Sequence, residues 1–170
     1  AAALLRRFDS LTAKRAERYR NDPVAWLYDH VVFGEDQPAP YQIEILNRLY
    51  SHNRVAVRAP RGSGKTTPAA WALLHFANTR TDDWKVPTTA GSWLQLSKFL
   101  WPEIHKWAKR LRWDRLGRDP YSLRSELLTL RLSLEGGEAF AINSDQPALL
   151  EGAHARSMLA IIDEGKAVPD

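Results

Sequence analysis

The stretch Ala56–Trp71, AVRAPRGSGKTTPAAW, constrains this chain more than any other. Val55 to Ala59 is short, apolar and bounded by turn residues, so it reads as a strand. Gly62 and Gly64 interrupt the run, Lys65-Thr66-Thr67 follow, and Thr66 to Ala77 reads as a helix. The pattern [AG]-x-x-x-x-G-K-[ST] fits Ala59 to Thr66. Strand, glycine-rich turn and helix in this order make a phosphate-binding loop: the glycines let backbone amides turn inward around an anion, and the helix N-terminus adds partial positive charge. Pro60, Arg61, Gly62, Ser63, Gly64, Lys65, Thr66 and Thr67 are the expected nucleotide contacts. Lys65 is expected to reach the β- and γ-phosphates and the Thr66 hydroxyl to hold Mg²⁺. The competing reading is a glycine-rich turn with a surface lysine, which the flanking strand and helix disfavour. Two details depart from the usual loop: Ala59 stands where glycine is common, and Arg61 places a second cation inside the turn.

A second motif lies near the end of the sequence. SMLAIIDE reads as a fully apolar, central parallel strand closed by two acids. An acid at the tip of a buried strand is costly unless it binds something. Asp163 is therefore expected to hold Mg²⁺, and Glu164 to polarise the attacking water as general base. The alternative is two acids capping a strand into a loop. Tyr41 and Gln42, just after Pro40, form a third candidate. A glutamine amide carries both donor and acceptor and matches the N6/N7 edge of adenine, and Tyr41 is placed to pack on the base. Taken alone, these residues simply open a helix.

The rest of the chain supplies a frame. The first 20 residues read as a basic amphipathic helix. A second helix starts at Pro23 with Asp22 as its N-cap, and a third at Pro40. WKVPTTA reads as a strand weakened by Pro87. Trp93 to Arg112 reads as a helix broken at Pro102. LLTLRLSLE alternates with Leu128, Leu130, Leu132 and Leu134 on one side. Gly136-Gly137 forms a hairpin turn, and EAFAIN returns as the partner strand. The cations and tryptophans of the 93–118 segment read as an amphipathic helix with solvated charge; a phosphate or subunit contact is the competing reading. The histidines show no ligand spacing. The expected architecture is α/β, a mostly parallel central sheet flanked by helices, with an N-terminal helical segment over 1–53 and the ATPase core over 54–170.

Composition is compatible with this frame. The chain has 170 residues, 44% of them hydrophobic, a net charge of +4 and no cysteine. One packed domain is the natural size. Disulfides and cysteine zinc sites are excluded, and the positive balance permits nucleic-acid contact. No membrane-length apolar run or signal peptide is visible. Ala1 is not a start methionine and the sequence stops just past its acidic strand, which leads to the expectation of a fragment of a longer protein.

Together these motifs resemble one family, the large terminase subunit that packages DNA into tailed-phage heads. APRGSGKTT is similar to its variant loop, with an arginine four residues before the lysine. PYQIEIL is similar to its adenine-contacting segment, WKVPTTAGSWLQLSKFLWPEI to its second strand and helix, and EGAHARSMLAIIDEGKAVPD to its acidic strand. The resemblance implies a P-loop ATPase of the additional-strand type, using ATP and Mg²⁺. It implies work in a ring on double-stranded DNA at a portal protein, with a small terminase subunit, in the host cytoplasm and without a membrane. It makes Lys65 and Thr66 the phosphate and metal residues, Asp163 and Glu164 the metal and catalytic acids, Arg61 a γ-phosphate sensor and Gln42 the adenine reader. The family's nuclease region has no counterpart in this sequence. Gly165 replaces the usual alanine after the acids. Glu151-Gly152 replaces the Arg-Gly pair that can act on a neighbouring subunit, which leaves Arg156 as the candidate trans-acting arginine. A superfamily-2-type helicase shares the glutamine, loop and acids, but DEGK is not the usual helicase continuation. A non-catalytic binding module has no use for Glu164.

Overall fold

The structure, a computed structural model, describes residues 14, 16–52, 54–60, 62–143 and 154–163. The expected first helix falls largely outside these residues, and 16–19 are helical. Helix α1 is Pro23–His30. Its start is set locally: the Asp22 carboxylate accepts the Ala25 N–H at 2.9 Å, and Pro23 enters the first turn, where no amide partner is needed. Helix α2 is Pro40–Ser51 and α3 is Thr66–Thr79. Strand β1, Trp84–Ala90, leads into a composite helix made of α4 (Trp93–Gln95), a π-helical turn (Leu96–Leu100) and α5 (Trp101–Ala108). The short α6, Trp113–Leu116, ends at Gly117 in the left-handed conformation, φ 72°.

The remaining strands are β2 (Leu127–Leu128), β3 (Arg131–Leu134), β4 (Gly137–Ala141), β5 (Ser157–Met158) and β6 (Ile161–Asp163). The sheet order is β2-β3-β4-β1-β5, with β6 continuing along β1 beyond β5. β1 runs parallel to β4 on one side and to β5 and β6 on the other, while β2–β3 and β3–β4 are antiparallel. The core lies between β1 and the helices. Trp71 of α3, Trp84 of β1 and Trp101 and Trp107 of α5 are all fully buried, and Trp71 meets Trp107 edge to face at 5.0 Å. Edge-to-face packing suits the aromatic quadrupole.

These observations correct the expected fold class. The sheet is mixed, not the mostly parallel sheet of a P-loop ATPase of the additional-strand type. Val55–Ala59, the expected strand before the loop, pairs with no strand among the described residues and leaves Val57 42% exposed. β-propensity marks a residue that fits a half-buried pleat, and here no neighbouring strand supplies that surface. The SMLAIIDE strand is not central or fully buried. It splits into β5 and β6 at the sheet edge among the described residues, with Met158 51% and Ile162 53% exposed.

The split has a local cause. Ser157 N–H donates to the Asp83 carbonyl and Leu159 N–H to the Lys85 carbonyl, both at 3.1 Å. In this alternation the next donor from β1 would be residue 87, and Pro87 has no N–H. Pairing resumes at Thr88↔Ile161. Pro87 therefore interrupts the neighbour, not β1 itself, which is the most connected strand of the sheet. Pro102 likewise does not break its helix. The π turn before it, closed by Trp101 N–H to the Leu96 carbonyl, absorbs the missing amide. LLTLRLSLE is not one strand: it turns at Thr129-Leu130 so that Leu127 faces Leu132 and Leu128 faces Arg131. The β3–β4 turn is Glu135-Gly136, one residue earlier than expected, because Leu134 pairs with Gly137.

Candidate functional site: the 59–67 loop and its supports

The described part of the loop turns on two glycines. Gly62 and Gly64 both lie in the left-handed region, φ 78° and 82°, which L side chains rarely adopt. Ser63 N–H donates to the Pro60 carbonyl at 3.4 Å, and Thr67 N–H to the Gly64 carbonyl at 3.2 Å. Lys65 then serves as N-cap of α3 and contributes no side-chain cap. The first amides of a 14-residue helix thus begin directly at the turn. The helix dipole puts partial positive potential at this start, although Thr67 N–H is already bonded to the Gly64 carbonyl and Pro68 has no N–H. Lys65, Thr66 and Thr67 are half-buried, and Gly62 and Gly64 are exposed. The Ser63 hydroxyl is enclosed and has no hydrogen-bond partner among the described residues.

Two elements hold the loop from behind. From α2, the Tyr41 hydroxyl donates to the Ser63 carbonyl, and Gln42 Nε2 donates to the Gly64 carbonyl at 3.0 Å. The other end of the Gln42 amide accepts the Ala39 N–H at 2.9 Å, closing a capping arrangement at the start of α2. In this conformation both ends of the amide are engaged with the protein backbone. From α5, Glu103 Oε1 accepts the Thr67 hydroxyl at 2.7 Å and the Trp107 indole N–H at 2.6 Å, with Lys106 Nζ at 3.9 Å. A carboxylate beside the first turn of α3 also favours the helix dipole. Nothing in the sequence around Glu103 points to the loop. Its spacing to Trp107, one helical turn, is legible; its reach to Thr67 depends on α3 packing against α5.

A cleft of about 490 Å³ opens beside the loop between α2 and the 54–60 segment, lined by Tyr41, Ile45, Arg48, Val57, Pro60 and Ser63 among others. This size is in the range of small-ligand sites. Asp163 is half-buried and pairs with Ala90, at the carboxyl end of parallel β1. Arg156 sits at the other end of the same edge. Its guanidinium binds Asp82 at 2.6 Å and its N–H binds the Asp83 carboxylate at 2.8 Å. At about 3.3 Å per strand residue, the seven steps from Arg156 to Asp163 separate the two by about 23 Å along the chain. Arg61 and Glu164 lie outside the described residues.

Among the described residues, no three His, Asp or Glu side chains converge as a metal cage. A Mg²⁺ carried on phosphate oxygens needs only one or two protein ligands, and Thr66 and Asp163 offer oxygen of the right type. The basic, Trp-rich segment is largely turned to internal use. Lys106 and Arg110 flank the Trp107 ring, each 5.0 Å from its centroid, and both pair with Asp36, at 3.3 and 2.5 Å. Those two cations hold the carboxyl of Asp36 below its usual range. No helix among the described residues is long and apolar enough to cross a membrane. Compared with protein-family models, with curated proteins and with solved structures, the chain matches none.

Proposed function

We propose that this chain binds ATP with Mg²⁺ at the 59–67 loop and hydrolyses it, as the ATPase portion of a large terminase subunit that drives double-stranded DNA into a procapsid. The observation that carries the reading is local. Two left-handed glycines feed directly into a long helix without a side-chain cap, with Lys65 at the junction. The proposal rests on this loop and on the motif resemblance, not on the sheet, whose mixed pairing is no argument for it. The adjoining cleft supports a nucleotide in preference to a bare anion, because it offers apolar wall beside the phosphate site.

In the proposed mechanism the loop amides and Lys65 bind the phosphate chain and hold it in place. Bound Mg²⁺ would neutralise charge on the β- and γ-oxygens, with Thr66 and Asp163 as its protein ligands. Glu164 takes the proton of the attacking water, and Arg61 follows the charge that moves with the departing γ-phosphate. The proposed partners are double-stranded DNA, a portal protein, a small terminase subunit and further copies in a ring, in the host cytoplasm.

Phosphate release and nucleotide binding, measured on the same samples, test this. Glu164→Gln is expected to abolish hydrolysis while ATP affinity stays within twofold. Arg61→Ala is expected to slow hydrolysis more than it weakens ADP binding. Unchanged turnover in Glu164→Gln removes the assigned base, and equal loss of ATP and ADP affinity in Arg61→Ala reduces that arginine to an anchor.

A further inference from the structure

Resting on the phosphate-loop reading above, we propose that Tyr41 and Gln42 are positioning residues that aim the loop amides at the phosphates. In a trans peptide, the carbonyl and the following N–H point in opposite directions. Tyr41 draws the Ser63 carbonyl toward α2, and Gln42 draws the Gly64 carbonyl the same way. The N–H groups of Gly64 and Lys65 are thereby turned to the side facing away from α2. Two neighbouring side chains thus fix two successive peptide planes of the cradle.

The anchors are themselves rigid. Gln42 is buried, and its carbonyl end is held by the Ala39 N–H at 2.9 Å. Pro40 opens the helix that carries both residues. The fit against the loop is close: a Cβ on Gly64 would come within 3.1 Å of Gln42 Nε2 and 3.5 Å of the Tyr41 hydroxyl. Gly64 is favoured first by its positive φ, and a side chain there would also push on the Gln42 amide. Such a clamp pre-orders donors before the ligand arrives, which lowers the ordering cost of binding. Its contribution depends on the phosphates and is independent of the base.

The test is calorimetric titration with Mg²⁺ and three ligands: ATP, GTP and inorganic tripolyphosphate. Tyr41→Phe removes only the O–H and keeps the ring; Gln42→Ala removes the amide. Each variant is expected to weaken all three ligands by the same factor, about tenfold, the usual scale of one lost hydrogen bond. Loss confined to ATP makes the pair a base reader and overturns the clamp, as does no loss at all. Backbone order parameters of Gly64 and Lys65 without ligand give a second, ligand-independent readout, expected to fall from the rigid range to below about 0.6 in both variants. Unchanged order parameters also overturn the clamp. A wild-type chain that binds none of the three ligands, while the order-parameter difference is present, contradicts the phosphate-loop reading and leaves the clamp standing as a structural device.

Discussion

His75 carries a pH dependence that can be read from its surroundings. It sits on α3 almost completely buried, with the Tyr50 hydroxyl on Nδ1 and the Tyr19 carbonyl 2.8 Å from Nε2. The Trp26 and Tyr50 rings meet it edge-on at 5.4 and 4.9 Å. Burial pushes its pKa down to about 3, from 6.5, with Arg80 and His30 adding in the same direction against the Tyr19 bond and Asp22. The folded chain therefore keeps His75 neutral, with Nε2–H donating to Tyr19 and Nδ1 accepting from Tyr50. A folded pKa below the unfolded one means that the unfolded chain binds the extra proton first. Stability from this site is complete above pH 6.5 and is lost as pH falls toward about 3, by at most about 1.4 kcal/mol per pH unit. Urea midpoints measured from pH 7 down to pH 4 are expected to fall. His75→Gln, less stable at pH 7, is expected to lose that part of the slope. A slope that is the same in the wild type and in His75→Gln would contradict a neutral, buried His75. At this scale the sequence is legible where partners are close. Asp22 capping α1 needed only three residues of context. The bonds from Tyr41 and Gln42 to Ser63 and Gly64 were hidden, because nothing local states that α2 lies against the loop.

Elements were read well where one period dominates and poorly where a proline or a hairpin intervenes. Helices α1, α2 and α3 begin where a proline or the glycine-rich turn places them. By local rules Pro87 weakens its strand and Pro102 breaks its helix. The structure moves the cost of each to a neighbour: to the β5–β6 gap and to a π turn. The leucine alternation over 127–135 has the period of a single strand, yet the tight turn at Thr129-Leu130 folds it onto itself, leaving Leu132 inside and Leu128 exposed. The start of β4 is fixed by a close approach. A Cβ on Gly137 would lie 2.2 Å from the Trp84 carbonyl oxygen and 2.4 Å from its indole. Neither the carbonyl nor the fully buried Trp84 can yield without shifting the β1–β4 register. Gly137→Ala is therefore expected to destabilise by about 1–3 kcal/mol, the range of overpacking in a closed core, seen as a lower thermal midpoint. A change of a few tenths would mean that the two strands are less tightly joined than this contact requires.

At the scale of the molecule, the loop and the sheet give different answers. The glycine turn into α3 was legible because it is written in consecutive residues, Gly62 to Thr67. The sheet was not, because strand order and direction depend on pairings between distant segments, and the β-prone run at 55–59 stays outside it. What unites the molecule around the loop is support from two sides: α2 through Tyr41 and Gln42, and α5 through Glu103 on Thr67. The central claim is that this supported loop receives nucleotide phosphates. Backbone amide NMR tests it most directly, by adding Mg²⁺ and a non-hydrolysable ATP analogue to the isotope-labelled chain. The account predicts the largest shift changes at Gly62, Gly64, Lys65, Thr66 and Thr67, lost in Lys65→Ala at the same ligand concentration. Shift changes centred elsewhere, or a response that survives Lys65→Ala, would contradict it.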